Sequence, residues 1–114
     1  MEGTKIEKGP EKIFNKQEVL QIIGQFAERT EVIEEILDQQ GLLFRLTTKS
    51  EGENPGDTNE YEYMRKGRIE GGEGGTTVTT IHVVYYQGGI PTGGEPIAEY
   101  NDETGVWQFF DQSH

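Results

Sequence analysis

The chain has 114 residues, of which 32% are hydrophobic, with 16 Gly and 4 Pro; that is one domain with a small core and many turns. Its 10 Lys and Arg against 21 Asp and Glu give a net charge of -11, which opposes broad binding to nucleic acid or anionic lipid. The absence of Cys excludes disulfide scaffolds, thiolate metal sites and cysteine nucleophiles.

No stretch reaches the roughly 18 apolar residues of a transmembrane helix. Nothing near Met1 reads as a secretory signal, so the expected compartment is the cytoplasm. The charge is also unevenly spread. Every Lys and Arg lies at or before Arg68, while residues 69–114 hold Glu70, Glu73, Glu95, Glu99, Asp102, Glu103 and Asp111 and no base. Such a run is ordinarily a solvated surface; the functional alternative is a face for a basic partner.

Residues 1–12 are polar and read as a flexible arm, followed by one domain over 13–114. Asn15 is placed to N-cap a helix, with Glu18 as the acidic half of a capping box. Val19, Ile22, Ile23, Phe26 and Ala27 then recur at three- and four-residue spacing, which predicts a helix over 16–28. Residues 30–40 read either as more helix or as a strand turning at Asp38-Gln39-Gln40-Gly41. A single helix to Gln40 would run about 37 Å, so a break near Thr30 is favoured.

Residues 42–48 alternate as a strand, with Leu42, Phe44 and Leu46 on one side. Residues 49–59 read as an open loop and 60–66 as a strand with one wet face. Residues 67–75 form a glycine-rich turn. Residues 76–87, β-branched and aromatic almost throughout, read as the central strand. Residues 88–96 read as a loop with paired glycines. The last hairpin joins 97–100 to 106–110 through a polar turn in which Gly105 takes positive φ.

One helix before a run of strands predicts an α+β fold, with the helix packed on a four- to five-stranded antiparallel sheet. The expected core is Ile22, Ile23, Phe26, Phe44, Leu46, Ile81, Val83 and Trp107. This order resembles the cystatin-like arrangement, a curled sheet around a helix. The Gln-x-Val-x-Gly and Pro-Trp segments of the cystatin inhibitory loops are absent, so the resemblance is one of architecture and implies no protease inhibition.

Chemical motifs are sparse. His82 lies mid-strand beside Thr80, Val84 and Tyr86, where a histidine is ordinarily structural. The other histidine, His114, ends the chain. The glycine groups at 71–75 and 88–94 lack a Gly-Lys-Ser/Thr ending and lie between strands, so they are hairpin loops, not phosphate cradles. The acidic segment 51–57 lacks the oxygen spacing of an EF-hand. Ser50 and Ser113 sit in no nucleophile elbow. No cofactor and no metal is expected.

The aromatics in the strands are the most usable feature. Some pack the core; the rest, beside acids, have the composition of a protein-recognition patch. The expected function is that of a small acidic, non-enzymatic binding or regulatory protein that docks a basic protein partner, with an inhibitory role as one form of it. No direct nucleic-acid or membrane contact is expected. The contact residues expected are Glu95, Glu99, Tyr100, Asp102, Glu103 and Trp107, on or beside the last hairpin. The alternative is a small-ligand or enzymatic domain with a pocket between helix and sheet, using His82 and nearby Tyr.

Overall fold

A computed structural model describes residues 12–69, 76–102 and 104–110. Most of the expected arm, the glycine run at 71–75, Glu103, Ser113 and His114 lie outside the described residues. The elements are α1 (Lys16–Ile23), β1 (Glu31–Leu37), β2 (Leu43–Glu51), β3 (Asp57–Ile69), β4 (Thr76–Gln87), β5 (Ile90–Asn101) and β6 (Val106–Phe109). The strands pair in chain order in one antiparallel sheet. The fold is therefore α+β, with six strands among the described residues where four or five were expected. The sixth is β1, whose residues are mostly exposed and so lack a strong period-two burial signal.

The capping box forms: Asn15 Oδ1 accepts from the Glu18 N–H at 2.8 Å, and the Asn15 N–H donates to Glu18 Oε1 at 3.0 Å. The helix stops at Gly24, short of the predicted Glu28. Beyond it the Gln25 and Phe26 N–H groups donate to the carbonyls of Ile22 and Ile23. This i to i+3 tightening ends the α-helix while Phe26 and Ala27 still pack against the core.

The pairing registers line up Leu46, Tyr63, Ile81 and Ala98 across β2 to β5, all fully buried. Phe14, Val19 and Ile23 join them in one apolar cluster. Ile22, Phe26 and Trp107 are partly buried against it. Phe44 departs from expectation: it is 36% exposed while Leu43 is buried. The registers pair Ile36 with Arg45 but Leu37 with Leu43, so Phe44 is the extra residue of a bulge. A bulge shifts the inward phase by one residue.

The loop expected over 49–59 shrinks to 52–56, because β2 runs on to Glu51 and β3 starts at Asp57. The loop expected over 88–96 is only the two-residue turn Gly88-Gly89, with φ of 58° and 84°, as a primed hairpin turn requires. Pro91, Gly93, Gly94 and Pro96 are all in β5. Proline is tolerated there because β6 pairs only Ala98–Asn101, leaving this half of β5 an edge, and register shifts mark bulges at Thr92 and Ile97. At Gly94 a Cβ would come within 3.0 Å of the Val83 carbonyl oxygen, so close strand approach favours glycine.

The sheet curls around the helix layer. Three strand spacings would hold β3 and β6 roughly 14 Å apart if flat. The Phe26 ring nevertheless lies 6.5 Å from Tyr61 of β3 and 5.9 Å from Phe109 of β6. At the other end Phe14 lies 6.5 Å from Tyr63, 4.9 Å from Tyr100 and 5.2 Å from Trp107.

Burial separates these positions energetically. Ile23→Ala should lower stability by about 2–5 kcal/mol, whereas Phe44→Ala should cost less than about 1.5 kcal/mol. Chemical denaturation of the two variants checks this; equal losses would contradict the bulge.

Candidate functional site

The six residues expected to form a contact patch do not share a face. Along β5 the registers put Glu95, Ala98 and Tyr100 on the helix side and Pro96 and Glu99 on the other. Tyr100 is buried and packs its ring 5.5 Å from Trp107 and 4.9 Å from Phe14. Trp107 is half-buried in the same aromatic group. Glu95 accepts a hydrogen bond from the Tyr85 hydroxyl at 2.6 Å. Asp102 is exposed in the turn, and Glu103 is not among the described residues. The two rings therefore tie the sheet to Phe14, and only Glu99 and Asp102 face outward.

Exposed apolar side chains occur on the last hairpin, at Val106 and Phe109, and also around β1. Ile33, Ile36 and Leu37 of β1, Leu42 before β2 and Phe44 of β2 are all exposed. They flank β1 on both faces, with Ile36 opposite Arg45 on the outer face and Leu37 opposite Leu43 on the helix face; Glu31, Glu34 and Glu35 lie beside them, and β1 itself carries no base. The alternation in 42–48 turns Phe44 inward; the bulge at Phe44 leaves it exposed, and the bulge at Ile33 sets Ile36 opposite Arg45 on the outer face.

The sheet face away from the helix carries a charged ladder. Glu34, Thr47, Glu62, His82 and Pro96 form one row across β1 to β5. Arg45 bridges to Glu62, and its Nε lies 3.8 Å from Glu34 Oε1. The Glu62 hydrogen bond raises the Arg45 guanidinium further. Arg65 donates to Asp38 and to the Leu43 carbonyl, and it holds the Asp38 carboxyl below its usual range. His82 is exposed on this outer face, between buried Ile81 and Val83. It is thus on the wrong side of the sheet to serve a pocket under the helix, which corrects its place in the alternative reading.

Under the helix side there is a cavity of about 350 Å³, lined by Phe26, Arg29, Ser50, Glu51, Asn59 and Tyr61 among others. The segment 26–29 after the helix forms one wall and β2 and β3 the other. Burial pushes the Tyr61 hydroxyl up, with Asn59 and Ser50 pulling the opposite way. Tyr61 is therefore a hydrogen-bond donor near neutral pH rather than a base. Among the described residues no group of His, Asp and Glu is placed to hold a metal ion.

Compared with known proteins, the chain matches no family model, no curated protein and no solved structure.

Burial first, and the Glu95 carboxylate second, push the Tyr85 hydroxyl above its ordinary value. A tyrosine whose folded pKa exceeds its unfolded value of about 10 contributes stability that is complete below that pH and is lost as pH rises through the folded value. The melting temperature should therefore fall above about pH 10, and Tyr85→Phe should flatten that fall. An unchanged alkaline slope in the variant would contradict the assignment.

Proposed function

We propose that this chain is a small acidic binding protein, without an enzymatic role, that docks a basic protein partner and acts as its inhibitor or regulator. The observation that carries this reading is the set of exposed apolar side chains flanking β1 on both faces, Ile33, Ile36, Leu37, Leu42 and Phe44, beside Glu31, Glu34 and Glu35. Apolar anchors beside acidic side chains suit recognition of a basic segment. The net charge of -11 reinforces the attraction over a longer range. Lys12, Lys16, Arg45 and Arg65 each bridge to a carboxylate of the chain itself, which leaves them poorly placed to attract nucleic acid.

No helix among the described residues is long and apolar enough to cross a membrane, and the cysteine-free composition suits a reducing compartment such as the cytoplasm. The helix followed by a curled meander supports the cystatin-like arrangement as an analogy of architecture alone.

The cavity at Phe26, Ser50, Asn59 and Tyr61 favours a second reading, a small-ligand site between helix and sheet. Its volume is near the lower end for such sites. Soaking with a library of small polar aromatic compounds and following the Tyr61 and Asn59 signals by NMR tests it.

Affinity capture from native lysate at low and high salt, followed by kinetics with the captured protein, tests the first reading. Neutralising Glu31, Glu34 and Glu35 to Gln should slow association about tenfold at low salt and leave folding intact, since exposed pairs contribute little. Neutralising Glu95, Glu99, Asp102 and Glu103 should slow it less. Salt-independent association at the same rate for both variants would show that the acids only keep the chain soluble.

A further inference from the structure

We infer that the basic partner docks as an added β-strand on the free edge of β1, an inference that rests on the reading of a basic protein partner. β1 ends the sheet order, so among the described residues only β2 pairs with it. A terminal strand presents alternate main-chain N–H and C=O groups outward, and those groups give affinity to any extended segment that aligns with them. Sequence is then read by the side chains on the two faces of the added strand.

The surroundings of β1 supply that reading. On the helix side, next to its end, a groove of about 360 Å³ is lined by Ile13, Phe14, Leu37, Leu42 and Leu43 among others. An apolar side chain of the added strand would seat there. Glu31 and Glu34 flank the outer face and Glu35 the helix face. Lys16 lies 3.5 Å and Arg45 3.8 Å from Glu35 and Glu34; these are long, exposed pairs that a partner's cation can outcompete. The fitting occupant is a segment alternating Lys or Arg with apolar residues.

A second copy of this chain fits worse. Pairing β1 with β1 would set glutamates against glutamates and join two chains of net charge -11. The bulge at Ile33 adds a register mismatch to such a symmetric pair, as bulged edges do. It leaves Glu34 to Leu37 as the regular stretch for a partner.

The probe is the peptide acetyl-Lys-Val-Lys-Val-Lys-Val-Lys-amide, with its fully N-methylated form as control. The control keeps every charge and side chain and loses every main-chain donor. With the full chain at low salt, the plain peptide should shift the signals of residues 31–37 and slow exchange of alternate β1 amides. The control should bind about tenfold more weakly. Ile36→Lys, at an exposed position, should weaken the plain peptide by a similar factor with an unchanged melting temperature. Equal binding of both peptides overturns the strand mode. Shifts confined to residues 95–107 overturn it while the basic-partner reading survives. No binding of either peptide at low salt sinks both. Slow exchange of the outward-facing β1 amides in dilute protein without peptide shows the edge already covered, by this chain or by a second copy, and also overturns the inference.

Discussion

Two phenylalanines bracketing one short helix set the shape of the molecule. Phe14 before the helix and Phe26 after it each touch strands that a flat sheet would keep apart. Ring contacts of this kind add to the burial of large apolar area. The curl follows from scarcity: with 32% hydrophobic residues, an eight-residue helix cannot cover six open strands. Wrapping the sheet brings Tyr61, Tyr63, Tyr100, Trp107 and Phe109 to the same small apolar layer.

The rest of the surface follows from that economy. Only one face of the sheet is dry. The other is held by cross-strand charges, with Arg45 joining the acids of β1 and β3. The pairs are partly exposed, so they organise the face more than they stabilise it. At the β1 edge the helix layer gives out, and aliphatic side chains remain in contact with water. Natural edge strands usually blunt themselves with charges and bulges. β1 does both, with three glutamates and a bulge at Ile33, yet its own Ile33, Ile36 and Leu37 stay exposed.

Much of the framework is legible in the residues. The Asn15–Glu18 capping box, the strand at 76–87, the polar turn before Gly105 and the break near Thr30 all have local chemistry that determines them. What local chemistry does not show is how strands meet. Pro91 and Pro96 read as loop because a proline is excluded from a central strand; only the short reach of β6 makes that half of β5 an edge. The bulges at Ile33, Phe44, Thr92 and Ile97 reverse inward and outward positions without any mark in the pattern. For the same reason the acids and aromatics of the last hairpin, neighbours in sequence, divide between two faces, and Tyr100 and Trp107 go to packing. The exposure of the apolar side chains around β1 depends on two bulges and on where the helix stops, so it emerges only from the assembled sheet.

The curl of the sheet decides which face is dry and which edge is left uncovered. Nuclear Overhauser contacts between aromatic rings test it most directly. The Phe14 ring should show contacts to both Tyr100 and Trp107, and the Phe26 ring to both Tyr61 and Phe109. Contacts from Phe26 to Tyr61 without Phe109, or from either ring to His82 on the outer face, would contradict it.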